Sequence, residues 1–415
     1  MKIIIGNAQR PFSVRLCNFL LLIYFMTISI EFGSTETNSL IQNVSYLGFI
    51  GIRLIEKNAN LKFSLNAFLK SYGLFLLYAV SSILWSANIG NSLSLVRVFI
   101  KIFVMMFFVV DYFLNRGTFD DFINILYISI IITVLYVLFN ATPDDWAYEN
   151  LGKKHGIDTV RLAVRMVMGS YIGLFRWYKK RKPYDIIICL SLLVISLSTG
   201  KRTGAIFIIV AYIIYNVCIQ KEYWKKLAKV LWLFVLLGLA WLAIMYIPAL
   251  NETFGQRMLG FVETLFYGEA SDASTVERLQ LLDYAVNLFK SNFLFGSGLN
   301  GMRTYLSQVG FYHVTYAHNN YLEIATGLGI IGVALYYAIY LFPIIRAYKI
   351  TKVSKDHDVI FMMSFLISLL VSDLVQVTYE SYFELILICI LSTLIYKKTN
   401  ILQSDTYSIE AVKTA

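Results

Sequence analysis

Charge is scarce in this chain. Asp, Glu, Lys and Arg make up 15% of its 415 residues, where a soluble globular protein carries about 25%. With 58% apolar residues and a mean hydropathy of +0.65, too little polar surface remains to coat a ball of this size, which excludes a water-soluble or disordered protein. Cysteine is scarcer still. Cys17, Cys189, Cys218 and Cys389 all lie inside apolar runs and form no C-x-x-C pair or His/Cys ligand spacing, so they read as packing or lipid-facing residues rather than redox or metal groups. No metal site and no cofactor motif is expected.

What the chain has in abundance is long apolar runs. A spanning helix takes about 20 mostly apolar residues, and twelve segments are candidates: 14–31, 39–55, 66–85, 93–114, 121–140, 160–177, 184–199, 203–220, 228–249, 318–345, 359–377 and 380–396. The expected fold is an all-α polytopic membrane protein of about twelve transmembrane helices, a single transmembrane domain over residues 1–415. Lys2, Arg10 and Arg15 precede the run 16–30 as in a signal peptide, but no small-residue cleavage site follows before Glu31 and Phe32. The run is therefore expected to stay as the first span.

The net charge of +10 would suggest a nucleic-acid partner in a soluble protein; here the placement of the cations matters first, and no nucleic acid is expected. With a cytoplasmic N-terminus, one set of connections carries 24 Lys and Arg and the other 10, with two more inside the fourth span. The richer set includes Arg176 to Lys182, Lys221 to Lys229 and Arg346 to Lys355, the asymmetry expected of cytoplasmic loops. Both termini are thus expected inside. The one large connection, residues 250–317 between spans nine and ten, is expected to face outside, and function is to be sought there.

In that loop, Ser274 to Lys290 reads as a helix opened by Ser274-Thr-Val-Glu277, an S-x-x-E capping box. Gln280, Asp283, Asn287 and Lys290 form a polar stripe, with Leu279, Leu282, Ala285, Val286 and Phe289 facing away. Arg278 falls on that apolar side and in the first turn, where the macrodipole disfavours a cation. Either it snorkels or pairs with Glu269 or Asp272, or it points into a pocket where it and the helix N-terminus hold an anion.

Other outward cations share this oddity. Lys201 and Arg202 occupy a tight outer turn, Arg161 and Arg165 are i, i+4 at the outer end of span six, and Arg97 and Lys101 are i, i+4 within span four. Ionisable residues at such depth face a bundle interior or a cavity by default, unless Asp373, Glu380 or Glu323 neutralises them. Together they suggest an anionic ligand at the outer leaflet, with a lipid-linked phosphate the candidate. His318 opens span ten where the loop re-enters the membrane. It is either a packing residue or, at a pKa of about 6.5, a base able to take a proton from a sugar hydroxyl. Asn319 and Glu323, also i, i+4, could bond each other or a substrate.

Three motifs carry no chemistry. Gly296-Ser-Gly-Leu-Asn-Gly301 and Gly327-Leu-Gly-Ile-Ile-Gly332 both spell G-x-G-x-x-G, but one is in an outer loop without a preceding strand and the other is inside a membrane helix. They read as a turn and as small residues that let helices approach. Asp356-His-Asp358 sits in a Lys-rich inner loop and reads as solvated.

The hairpin Leu197-Ser-Thr-Gly-Lys-Arg-Thr-Gly-Ala205, the loop element Ser274-Thr-Val-Glu-Arg278 running on to Phe295-Gly-Ser-Gly298, and Ala317-His-Asn-Asn-Tyr-Leu-Glu-Ile324 with Gly327 to Gly332 resemble, in this order, the O-antigen ligase and polymerase superfamily. The likeness covers roughly residues 190 to 340. It implies a metal-independent glycosyltransferase of the membrane-embedded C type in the bacterial cytoplasmic membrane. Such an enzyme acts outside on undecaprenyl-pyrophosphate-linked glycan, donor and acceptor both glycans, with a chain-length regulator as a possible partner. The family's hairpin arginine falls on Arg202, its loop arginine on Arg278 and its histidine on His318. Lys201, where many relatives carry serine, is a departure whose role stays open.

The resemblance leans to the polymerase branch, which joins lipid-linked repeat units into O-antigen or capsular polysaccharide. The alternative is the ligase, which transfers the chain to lipid A core. Protein O-glycosyltransferases of this superfamily usually carry a C-terminal extension that has no counterpart here after the last span. A secondary transporter of an anionic solute would also have twelve spans and buried cations, but it predicts two similar halves, whereas the large loop and all three motifs lie in the second half.

Overall fold

The computed structural model describes residues 10–57, 65–147, 151–199, 201, 203–247, 251, 255, 259, 273–312 and 314–414. Among them the secondary structure is helical, with no strand. In chain order the α-helices are α1 (Phe12–Thr27), α2 (Thr35–Glu56), α3 (Ala67–Ser81), α4 (Ile89–Asn115), α5 (Phe119–Phe139), α6 (Pro143–Ala147), α7 (Thr159–Lys180), α8 (Pro183–Ser198), α9 (Thr203–Ile219), α10 (Tyr223–Tyr246), α11 (Ala273–Ser291), α12 (Gly301–Gln308), α13 (Asn320–Val353), α14 (His357–Ser372) and α15 (Tyr382–Thr414).

Each of the twelve apolar segments overlaps one of these helices. Five, α3 with the short 3-10 turn after it, α4, α5, α10 and α13, are long and apolar enough to cross a membrane, and α1, α8, α9 and α14 are shorter apolar helices. The surface agrees with that reading. On α10, Leu231, Trp232, Phe234, Leu236 and Leu239 are each more than half exposed, a side that water does not support over such a length but lipid does. The protein is thus a polytopic, all-helical membrane protein.

Polar residues start and stop the helices where their backbone amides would otherwise be orphaned. Asn66 accepts from the Leu69 amide at 2.9 Å at the start of α3, and Asn88 from Asn91 at 3.0 Å at the start of α4. Asp158 opens α7 in the same way, with the Val160 amide at 3.1 Å. Pro183 stands at the first turn of α8, where its missing N–H costs nothing.

The chain divides into two compact units, residues 1–56 with 120–277, and residues 57–119 with 278–415. In the first, α1 packs on α2, and α7 on both α8 and α9. Its buried charges are spoken for: Arg176 lies 3.0 Å from Asp185 and 4.9 Å from the Tyr127 ring centroid. In the second unit α13 is the hub, packing on α3, α12, α14 and α15, while α4 packs on α15. The cysteines are free thiols, with Cys17, Cys189 and Cys389 buried in packing, and no cluster of metal-ligating side chains occurs among the described residues.

Asp356-His-Asp358 does more than sit in solvent. Asp356 caps α14 through the amides of Asp358 and Val359, at 2.8 and 3.2 Å, and receives Lys398 at 2.8 Å.

Candidate active site

The described part of the large loop folds onto the second unit by one apolar seam. Leu281, Ala285 and Leu288 of α11 meet Met302 and Leu306 of α12 and Ala317, with Tyr284, Tyr305 and Phe311 packed around them. The seam lies at i, i+4, i+7, and it differs from the face expected from the wheel: Leu279 is half exposed, and Leu281 and Leu288 take the interior. The apolar arc of α11 covers more than half its circumference, so periodicity alone does not say which part a neighbour will cover. Arg278 continues the seam by one turn toward the N-terminus and is exposed there. Its expected partners Glu269 and Asp272 lie outside the described residues.

Between α11 and α12 the chain makes its closest contact with a membrane helix, and the two G-x-G-x-x-G motifs meet there. α13 is interrupted at Gly329 (φ 64°, ψ −170°), a conformation essentially restricted to glycine. The turn after α11 fills the interruption. The Ile330 amide donates to the Phe293 carbonyl at 2.9 Å, and the Ser297 amide and hydroxyl donate to the Thr326 carbonyl at 2.9 and 2.8 Å. A Cβ on Gly329 would stand 2.2 Å from the Leu294 carbonyl oxygen, and one on Gly296 (φ 69°) 2.4 Å from the Gly327 backbone. Tyr78 of α3 donates to the Leu328 carbonyl at 3.0 Å, so the backbone groups freed by the break find partners.

This junction holds the start of α13, where His318 lies. His318 is half-buried with φ 52°, its ring 4.5 Å from that of Tyr316. A non-glycine residue at such a φ is uncommon, and its neighbours must hold it. They do so on both sides. The Ala317 amide donates to the Glu323 carboxylate at 2.7 Å, Asn319 caps the Leu322 amide at 3.0 Å and donates to the Leu374 carbonyl at 3.1 Å, and the Asn320 amide donates to the Asp373 carbonyl at 2.8 Å. Asn319 and Glu323 therefore do not bond each other through their side chains; each secures the backbone around the histidine.

Two further groups support this region. Asn320 is fully buried: its amide nitrogen reaches Asp373 at 3.0 Å and Tyr337 at 3.1 Å, and its oxygen accepts from the amides of Thr378 and Tyr379, both at 2.9 Å. Arg303 of α12 donates to Glu380 at 3.3 Å and to Asn300 at 3.2 Å. Burial works against its charge, yet Glu380, with Tyr379 and Glu323, holds the guanidinium above arginine's ordinary pKa. Sequence reasoning passed over both. Asn320, Glu323 and Gly327 do share one helical face, a pattern that marks a buried polar seam, whereas Arg303 has no such signal.

The remaining expected residues separate. Arg97 also belongs to the second unit, but it stands on the exposed side of α4 and not in an interior, because the buried stripe of that helix runs through Ser92, Leu95, Val96, Phe99 and Ile102. Lys101, one turn on, lies 6.0 Å from the Tyr382 ring centroid. Lys201, Arg161 and Arg165 belong to the first unit. Arg165 is buried and donates to the Ser29 carbonyl at 2.5 Å, Arg161 is half-buried in the first turn of α7, and Lys201 is half-buried in its turn. Arg202 lies outside the described residues. The structure thus gathers His318, Asn319 and Glu323, with Arg278 at the head of the helix packed beside them.

No curated protein matches the chain. Residues 186–337 match the model of the O-antigen ligase family, a segment that takes in Lys201, Arg202, Arg278, His318, Asn319 and Glu323 and leaves out Arg97, Arg161 and Arg165. The match over residues 186–337, with the three motif elements in order inside it, supports the O-antigen ligase and polymerase superfamily for this segment.

Proposed function

We propose that the protein is a polymerase that joins undecaprenyl-pyrophosphate-linked oligosaccharide repeat units into O-antigen or capsular polysaccharide at the outer face of the cytoplasmic membrane. The observation that carries this reading is His318, held half-buried at the entrance of α13 by hydrogen bonds to residues on both sides of it, within the segment matched by the family. Such a backbone conformation costs stability and clusters at functional sites, and a positioned imidazole is what activation of a sugar hydroxyl requires.

In this mechanism His318 accepts the proton of the acceptor hydroxyl as its oxygen bonds to the anomeric carbon of the donor glycan. The bond from that carbon to the lipid pyrophosphate breaks with inversion, and undecaprenyl pyrophosphate leaves with the electron pair. Arg278 and Arg202 stabilise the charge growing on the pyrophosphate, a task for which no metal ion is required. Lys201, Arg161 and Arg97 are assigned to the approach of the anionic lipid, with a chain-length regulator as a partner, while the buried Arg165 holds the Ser29 carbonyl. Twelve crossings with both termini in the cytoplasm place residues 250–317 outside.

The family model bears the ligase's name, and the ligase reading differs only in the acceptor. Purified protein supplied with a synthetic undecaprenyl-pyrophosphate repeat unit, with and without lipid A core, distinguishes them. A ladder of lipid-linked multimers formed without lipid A core is the expected product. A single transfer that strictly requires lipid A core would make the protein a ligase.

A further inference from the structure

At the far end of α13 from His318, a cavity of about 770 Å³ opens between the start of α3, the last turns of α13 and the middle of α15. Arg346 lies 26 residues beyond Asn320, roughly 40 Å along the helix, so this cavity is separate from the candidate active site. Its walls are apolar: Phe68, Phe342, Ile350 and Val353 line it. Its volume is that of a site for a small molecule.

Two features are not explained by packing. Arg346 and Lys349 line the same cavity, and neither has a carboxylate within ion-pair distance among the described residues; the Arg346 guanidinium rests 4.6 Å from the Tyr396 ring centroid. Cations near a helix C-terminus suit its dipole, and positive charge suits a cytoplasmic loop, but neither calls for a hollow beside them. The second feature is Ser392. It lines the cavity, is 4% exposed, and its hydroxyl has no hydrogen-bond partner among the described residues. Asn66 and Thr399, which also line it, are engaged: Asn66 with Leu69 and Thr393, and Thr399 with the Ile395 carbonyl at 2.9 Å. A buried hydroxyl left in this way destabilises the fold unless a ligand supplies its partner.

We infer that this cavity binds an anionic phospholipid of the adjacent leaflet, with the phosphate on Arg346 and Lys349 and the proximal acyl chain along Phe68, Phe342 and Ile350. The ester oxygens at the head of that chain are the acceptors within reach of Ser392. Apolar walls with cations at one side select this class over a zwitterionic lipid and over free phosphate. The site does not depend on the role of His318.

The full-length protein in nonionic detergent, titrated with phosphatidylglycerol and followed by native mass spectrometry, tests the inference. Phosphatidylglycerol should bind in preference to phosphatidylcholine, and millimolar inorganic phosphate should not displace it. R346Q/K349Q should weaken phosphatidylglycerol about 30-fold, the factor two such cations supply toward an anionic lipid. S392L, which fills the hollow and removes the orphaned hydroxyl while keeping both cations, should weaken it as well without loss of thermal stability. Equal binding by wild type and R346Q/K349Q, equal binding of the two lipids, displacement by phosphate, or unchanged binding in S392L would each overturn it.

Discussion

Asn319 and Glu323 stand one turn apart on α13, and each spends its side chain on backbone around His318 rather than on the other. That division follows from what a buried carboxylate needs: a donor close by, which the Ala317 amide provides at 2.7 Å. Arg278 is placed differently, exposed at the head of α11. Its proposed task depends on the planar guanidinium bridging two phosphate oxygens, which an ammonium cannot do. Arg278→Lys is therefore expected to lose on the order of 10²-fold in kcat with expression unchanged, the usual effect of removing one such donor, and Arg202→Lys to behave alike. Normal chain extension by both variants would leave these arginines a structural role. Asp145, outside the spans, offers a pH readout. The Thr142 amide at 2.8 Å, the Thr142 hydroxyl at 2.7 Å and Lys154 at 3.0 Å bring its pKa down to about 2. A depressed carboxylate stabilises the fold above its unfolded pKa, 3.8, and that contribution is lost as pH falls toward 2. Thermal melting of wild type against Asp145→Asn should therefore differ at pH 6 and converge between pH 4 and about 2; a constant difference would contradict the assignment.

Among the elements, the α11–α12 turn and α13 depend on one another. The break at Gly329 exposes backbone groups that the turn and Tyr78 satisfy, and the turn can approach because Gly296 and Gly329 have no Cβ. Gly329→Ala combines a disfavoured backbone conformation with overlap against the Leu294 carbonyl, and should cost about 2–4 kcal/mol. It should lower the melting temperature of the purified protein and abolish activity through the displaced His318. An unchanged melting temperature would mean that the turn and the helix are not coupled in this way. The two G-x-G-x-x-G motifs were recognisable in the sequence as something other than nucleotide sites, one a turn and one a close helix approach. That each is the other's partner was not recognisable, because nothing local in either stretch refers to a residue 33 positions away. Arg303 with Glu380 and Asn320 with Asp373 escaped for the same reason: each residue looks ordinary until its distant partner is known. The seam of α11 was half legible, since Ala285 was expected inside while Leu281 and Leu288 were not.

For the whole molecule, the helical segments were legible because length and hydropathy are local quantities, and each of the twelve apolar segments overlaps a helix. The side of the membrane is a separate matter, resting on the Lys and Arg balance alone. Single cysteines at positions 290 and 225, both exposed, in a background without Cys17, Cys189, Cys218 and Cys389, report it directly. An impermeant maleimide on intact spheroplasts should label position 290 and not 225; the reverse would move the candidate site to the cytoplasm.

The account turns on His318 acting as a base in a reaction that needs no metal, and replacement by glutamine tests that claim. The amide has similar size and can replace a ring nitrogen as a hydrogen-bond partner, so His318→Gln keeps a packing role and removes only proton transfer. Chain extension from the synthetic undecaprenyl-pyrophosphate repeat unit, with EDTA present throughout, is the measurement. Wild type should turn over in EDTA, and His318→Gln should bind donor normally while turning over about 10² to 10⁴ times more slowly. Near-normal turnover by the variant, or loss of wild-type turnover in EDTA, would contradict the mechanism.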